Sequence, residues 1–374
     1  MKKYFFLVLA GTIFFLFSLE IFKHKEVYFT KWDSEYWHNR YEKSQWAKGW
    51  EAEEKIGDAE LYAYAGWRQI KGDDPIKINP EVPPLGKYLI GLSILIFGNP
   101  NVQALLVGSF YLLVIFVWGE RILKEKILAF IPVLLMSTDS LFKENLTTSM
   151  LDLPFGLFIA LAFWFLAKGR DNHWFYLPAV IFLGAVATTK FYLVGFALLA
   201  IFFVYLLFLW VVFRFKDILW FLFFLPIFVI FYLGNYLIYF LQGHDILDFK
   251  YLHFWIRHFA RVQVENYPKG EIFRILLFGR WKTWWDGGEI VRVSSWRAWQ
   301  PVGFLTLFPS FFLAVNRRNL DILILCLWPT SLLLMFSLGI PYPRYLLPVL
   351  PPLYILLCYN LKEVYLQWLS LIHI

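Results

Sequence analysis

The sequence predicts an all-α polytopic integral membrane protein of about ten transmembrane helices, with an interfacial helix and two long extracytoplasmic loops. Three observations predict it. Hydrophobic residues occupy 59% of the 374 positions and charged ones only 17%, more apolar surface than a soluble domain of this size needs. The apolar residues fall into runs along the whole chain. The basic residues collect in the short stretches between those runs.

The runs cover residues 4–22, 85–98, 101–118, 127–137, 151–167, 175–189, 192–213, 218–241, 301–315, 320–339 and 345–360. Several are shorter than the ~20 residues that cross ~30 Å of hydrocarbon, so their flanks must complete them. The first stands behind Lys2-Lys3, and no small-X-small cleavage site precedes Phe22-Lys23-His24. A retained anchor is therefore expected rather than a removed signal peptide.

Run 85–98 decides the topology. As a full span it would place the basic loops on inconsistent sides and Glu81 and Asp152 on opposite faces. Laid along the interface, it brings Lys2-Lys3, Arg121 to Lys126, Lys168-Gly169-Arg170, Arg214-Phe215-Lys216 and Arg317-Arg318 together on the cytoplasmic side. That satisfies the positive-inside rule in every short loop. The interfacial placement is preferred, with both termini cytoplasmic, and a crossing stays open. The chain reads as one domain, 1–374, with extracytoplasmic loops at 23–100 and 242–300.

Charge and cysteine usage exclude other classes. The net charge of +7 sits mostly in orienting loops, so no nucleic-acid partner is expected. Cys326 and Cys358 lie inside apolar runs without a CxxC partner, so they read as packing residues and not as a disulfide or thiolate site. No pair of matched, Gly/Pro-broken halves stands out, which counts against a secondary transporter.

Three acids collect at the outer membrane boundary. Asp58 opens a helical pattern in which Leu61, Tyr62, Ala65 and Gln69 recur at three- and four-residue spacing. It reads either as the helix N-cap or as a site residue. Glu60 is ~200° further around and points elsewhere. Glu81 precedes Val82-Pro83-Pro84, and the prolines would hold it extended and aim its carboxylate. Asp152, in Met150-Leu151-Asp152-Leu153-Pro154, could equally cap the span it begins. Carboxylates near lipid are costly without partners, so a shared water-facing site is the economical reading of all three. Asp139 and Glu144 read as solvated loop residues.

Two cations also stand at the outer boundary. Arg344, in Pro341-Tyr342-Pro343-Arg344-Tyr345, and Lys190, in Thr188-Thr189-Lys190-Phe191-Tyr192, both stand at span mouths. Each could bind a lipid phosphate or simply snorkel. The loop 242–300 interleaves bases and aromatics, among them His253, Arg257, His258, Arg261, Trp281, Trp284 and Trp285. Aromatic faces stack on sugars while Arg and Lys hold phosphate, but an interfacial aromatic belt has the same composition.

Four segments together carry a resemblance. They are Gly57-Asp58-Ala59-Glu60-Leu61-Tyr62-Ala63, Glu81-Val82-Pro83-Pro84-Leu85-Gly86-Lys87, Met150-Leu151-Asp152-Leu153-Pro154 and Arg344-Tyr345-Leu346-Leu347-Pro348. Their order is similar to that in dolichyl-phosphate-mannose-protein mannosyltransferases and in the bacterial aminoarabinose transferases that modify lipid A. Both are GT-C superfamily polyprenyl-phosphate-dependent glycosyltransferases. The chain departs from many relatives in having Ala59 where a second acid would follow Asp58. It also has Glu81-Val82 where mannosyltransferases carry His before Pro-Pro-Leu-Gly-Lys, which places it nearer the aminoarabinose-transferase side.

The resemblance implies inverting transfer of a sugar from a polyprenyl-phosphate donor to a hydroxyl acceptor on the extracytoplasmic face of the cell membrane. Asp58, Glu81 and Asp152 would be catalytic, with Asp58 the general base. Glu60, Lys87, Lys190, Arg257, Arg261, Arg344 and Tyr345 would bind substrate. A divalent metal is admitted, with Glu81, His253 and His258 as its ligands. No C-terminal soluble domain of the kind some relatives append is expected. The competing function is a lipid-linked sugar flippase or transporter, which should carry its polar residues at mid-span instead of gathered at one face. A membrane scaffold would leave the three acids unexplained. The sugar and the acceptor are not legible.

Overall fold

The computed structural model describes residues 2–212, 215–265, 267–283 and 288–372, so Arg214, Trp284 and Trp285 lie outside the described residues. Helices dominate, and the described strands are one antiparallel hairpin, β1 (Arg280–Lys282) and β2 (Ile290–Arg292), in register Trp281 to Val291.

Among the described residues, five helices are long and apolar enough to cross a bilayer: Val102–Leu123, Asp152–Gly169, Tyr192–Trp210, Lys216–Gly234 and Leu320–Ser337. The chain is an integral membrane protein. Pro84–Phe97, Lys126–Thr138 and His173–Thr189 are shorter apolar stretches. The Asp152–Gly169 helix is 72% buried inside the protein, against 33% to 56% for the other four. It is the axis of the bundle. Phe163 on this helix stacks on Trp328 with ring centroids 5.4 Å apart, and Trp164 meets Trp118 edge-on at 5.2 Å. The outer spans turn Phe110, Phe208, Phe223 and Ile230 outward, as a lipid-facing surface requires.

Local chemistry sets several boundaries. Asp33 caps the Ser34–Glu42 helix, accepting from the Glu35 and Tyr36 amides at 3.0 Å each. Pro84 begins its helix at a position that needs no N–H donor. Gly98 ends it in the left-handed region, with φ of 68°. Run 301–315 is divided between Trp299–Leu305 and Leu307–Asn316, and run 345–360 opens as a 3₁₀ turn, Pro343–Leu346, before the Leu350–Ile372 helix.

Both long loops are folded. The first carries the Asp58–Ile70 helix, laid against Pro84–Phe97 through two glycines. A Cβ on Gly66 would come within 2.3 Å of the Lys87 carbonyl, and one on Gly91 within 2.2 Å of the Gly66 carbonyl. Only glycine permits this approach. The second holds Ile246–Val264, Glu271–Phe278 and the hairpin.

The short basic loops meet at one end of the bundle. Arg121 reaches Asp171 and Asp321, Arg170 reaches Asp321, Lys362 reaches Glu125 at 3.0 Å, and Arg317 reaches Glu363 at 2.7 Å. Asp152 begins the helix whose other end is followed by Arg170 and Asp171.

Candidate active site

Asp58 and Asp152 each occupy the first position of a helix, and neither is its cap. The capping positions are Gly57 and Leu151. This corrects the N-cap reading of both residues. Their carboxylates sit in the positive field of a helix N-terminus and turn to cations instead. Arg344 Nη2 donates to Asp58 Oδ2 at 2.6 Å, and Arg344 Nε stands 3.6 Å from Asp152 Oδ2. Lys190 Nζ donates to the other Asp152 oxygen. Asp152 and Lys190 are 2% and 3% exposed, whereas Asp58 is 35% exposed and open to water.

Aromatic rings wall the quartet. The Arg344 guanidinium lies 4.5 Å from the Tyr342 centroid, and the Lys190 ammonium lies 4.5 Å above Tyr345. Phe191 meets Tyr345 edge-on at 5.3 Å. Burial pulls the Lys190 ammonium down to about 8, although Asp152 opposes the shift. Arg344 is raised overall because Asp152 and Asp58 outweigh the cost of its burial. Arg344 Nε and Asp152 Oδ2 are buried without a hydrogen-bond partner, so the quartet keeps unused bonding capacity.

The Pro-Pro segment aligns this site. A Cβ on Gly86 would meet Leu151 Cδ2 at 2.8 Å and the Thr189 carbonyl at 2.9 Å. Those are the neighbours of Asp152 and Lys190. Lys87, expected to touch substrate, is fully buried and donates to the Asn79 carbonyl at 2.8 Å. It is a strut for the turn that carries Glu81, whose carboxylate accepts from Asn79 Nδ2. Burial raises the Glu81 carboxyl and lowers the Lys87 ammonium.

Other expected site residues are placed elsewhere. Glu60 accepts from the Gly57 amide at 2.7 Å and from Arg40 at 2.8 Å, so it braces the helix start rather than substrate. Arg257 is exposed and stacks 5.5 Å from the Phe254 ring, and Arg261 is exposed on the same helix. His253 binds Tyr232 through Nε2 and the Phe249 carbonyl through Nδ1, while His258 faces solvent. Both His253 nitrogens are occupied, and no group of three His, Cys, Asp or Glu among the described residues is placed to hold a metal ion. The set Glu81, His253 and His258 therefore does not form.

Asp139 was missed. It is fully buried, accepting from Tyr354 at 2.6 Å and Gln300 at 3.2 Å. Its partners lie 215 and 161 residues away, so no local pattern announced it. Glu144 is exposed, as read.

Beside Arg344 lies a cavity of about 490 Å³, walled by Ala59 at the start of the Asp58–Ile70 helix, by 141–150, by the hairpin and by Tyr342 to Arg344.

The comparisons agree with this architecture. Residues 81–234 match the family model "Dolichyl-phosphate-mannose-protein mannosyltransferase". No curated protein sequence matches. The structure of ArnT from Cupriavidus metallidurans bound to undecaprenyl phosphate superposes with a TM-score of 0.66 at 15% identity, over 97% of this chain and 61% of that one. Its apo form gives 0.58 at 15% identity, over 82% and 55%. The Archaeoglobus fulgidus oligosaccharyltransferase tethered to an acceptor peptide gives 0.52 at 13%, over 98% and 51%. The chain thus spans between about half and three-fifths of the length of these structures. These likenesses show that the chain shares the fold of the ArnT and oligosaccharyltransferase structures, and the family model adds a sequence match over residues 81–234.

Proposed function

We propose that this protein is an inverting membrane glycosyltransferase that moves a sugar from a polyprenyl-phosphate donor to a hydroxyl acceptor. The observation that carries this reading is the Arg344 guanidinium shared between Asp58 and Asp152, with Lys190 beside it. A sugar-linked polyprenyl phosphate is a diester bearing one negative charge, and the released monoester gains a second. Two cations at the phosphate are therefore worth more after bond cleavage than before it. The donor phosphate would compete with Asp58 for Arg344 and so release the Asp58 carboxylate. Asp58 then takes the acceptor proton as the hydroxyl oxygen attacks the anomeric carbon. The bond from that carbon to the phosphate oxygen breaks, and its electron pair leaves with the phosphate. One displacement inverts the centre.

Asp152 holds Lys190 and Arg344 in register, and Glu81 borders the same site. Acids gathered at one end, and not at mid-span, support a transferase over a flippase or transporter. The topology that fits has ten crossings with Pro84–Phe97 along the interface. The basic loops joined at the opposite end support a cytoplasmic side there and an extracytoplasmic active site. Cysteine placed at Lys124 should stay unlabelled by an impermeant thiol reagent in intact cells, while cysteine at Glu144 or Lys269 should react. Labelling in the reverse sense would overturn the orientation.

The chemical reading is tested by Asp58→Asn. Turnover of a polyprenyl-phosphate sugar should fall by about 10²–10⁴-fold, the range for losing a general base, with undecaprenyl-phosphate binding retained. Near wild-type turnover would remove Asp58 as the base.

A further inference from the structure

The cavity beside Arg344 has a chemistry of its own. Its walls are extracytoplasmic segments in the proposed topology, and its rim includes the solvent-exposed Glu144 and Arg292. Leu141, Met150, Val291 and Val293 add apolar surface to its walls, and neither Asp152 nor Lys190 lines it. A donor phosphate held by Lys190 would therefore leave this chamber to the second substrate.

Its lining combines flat aromatic surface with donors and acceptors. Trp281 and Tyr342 pair with centroids 5.6 Å apart, and Tyr342 also carries the Arg344 guanidinium on its face. Such a platform takes the C–H face of a sugar ring. Around it stand a carboxylate (Glu144), an amide (Asn145), a hydroxyl (Thr148) and a guanidinium (Arg292). Asn145 is 4% exposed, and its Nδ2 donates to the Leu141 carbonyl at 2.9 Å. Its Oδ1 has no hydrogen-bond partner and is sealed from solvent, so Asn145 serves the wall and not the ligand. A polyol supplies hydroxyls that donate to Glu144 and accept from Arg292. The volume, about 490 Å³, falls within the ~300–1,000 Å³ of small-molecule sites.

We propose that this cavity binds a saccharide, and that the hydroxyl acceptor is therefore a glycan, stacked on Trp281 and Tyr342 and held by Glu144 and Arg292. The glycan's role as acceptor rests on the transferase reading above. Binding of a saccharide does not.

The experiment measures binding to the full-length protein in nanodiscs. The probes are methyl hexopyranosides, methyl N-acetylhexosaminides, their disaccharides and a Ser/Thr-containing peptide. Undecaprenyl phosphate is titrated in parallel. At least one saccharide should bind saturably, and Glu144→Ala and Trp281→Ala should each weaken it by tenfold or more while changing undecaprenyl-phosphate binding by less than twofold. Glu144 is exposed, so its variant keeps the inference falsifiable if Trp281→Ala does not fold. Saccharide binding unmoved by Glu144→Ala would overturn the proposal. So would a protein that binds undecaprenyl phosphate and the peptide but no saccharide. A protein that binds saccharide at this site but no undecaprenyl phosphate would sink the transferase reading and leave the saccharide site standing.

Discussion

The two ends of the helix bundle carry nearly the same ions in opposite states. At one end Arg121 lies between Asp171 and Asp321, with Arg170 also on Asp321. At the other, Arg344 lies between Asp58 and Asp152, with Lys190 also on Asp152. The Arg121 guanidinium is nearly saturated. It donates to Asp321 at 2.9 and 3.1 Å and to Asp171 at 2.7 and 3.4 Å. Arg344 makes one hydrogen bond to its acids, at 2.6 Å, and its Nε has none. The first arrangement closes three helix ends into a staple. The second keeps a guanidinium beside a cavity with bonding capacity to spare. Composition alone does not separate a structural ion cluster from a functional one. Saturation of the donors does.

The largest expected effect tests that contrast directly. Arg344→Ala should reduce turnover by about 10²–10³-fold, the range for removing one charge-stabilising donor. Arg344→Lys should recover little, because a single ammonium cannot bridge Asp58 and grip phosphate with a planar fork. Equal, near-normal activity in both variants would leave Arg344 a snorkelling residue. Arg121→Ala should do the reverse, lowering stability by about 1–3 kcal/mol by removing the charge-assisted hydrogen bonds that join Asp321 to Asp171, with turnover per folded molecule unchanged. Thermal unfolding and turnover measured on both variants decide the matter. A catalytic defect in Arg121→Ala would erase the distinction between the ends.

A smaller effect is titratable. Lys190 is lowered to about 8, so its ammonium is charged below that pH and neutral above it. If charged Lys190 steadies the leaving phosphate, turnover should fall by about tenfold per pH unit above 8. Arg344 cannot titrate there and gives no such limb. Lys190→Arg should flatten the alkaline fall while retaining part of the activity. A descending limb that persists unchanged in Lys190→Arg would assign it to another group.

Some roles were legible because their signals are local. Pro83-Pro84 rigidly starts a helix, Gly86 follows at a contact that tolerates no Cβ, and Asp58 and Asp152 begin helices at a boundary where unpaired carboxylates are costly. Other roles were misread where the deciding partner is distant or the burial unexpected. Lys87 looked like a substrate ligand, yet its ammonium is consumed by the Asn79 carbonyl. Glu60 looked free, yet Arg40, which took no part in the motif, claims one of its oxygens. His253 looked like a metal ligand until Tyr232 and Phe249 filled both its nitrogens.

The sequence by itself determined the class of solvent for each segment. Runs of apolar residues settle burial in lipid or protein whatever the chain does elsewhere, and basic loops bias orientation. Only the tertiary structure decided which ions meet. Arg344 and Asp58 are 286 residues apart, and Lys190 and Asp152 are 38 apart. Which cation neutralises which acid follows from how helices pack side by side, and packing depends on the whole set of contacts, the Gly86, Gly66 and Gly91 approaches among them. The cavity is the extreme case. Its four walls come from separate parts of the chain, so it exists only once the helices, the hairpin and the Tyr342 to Arg344 turn have all been brought together.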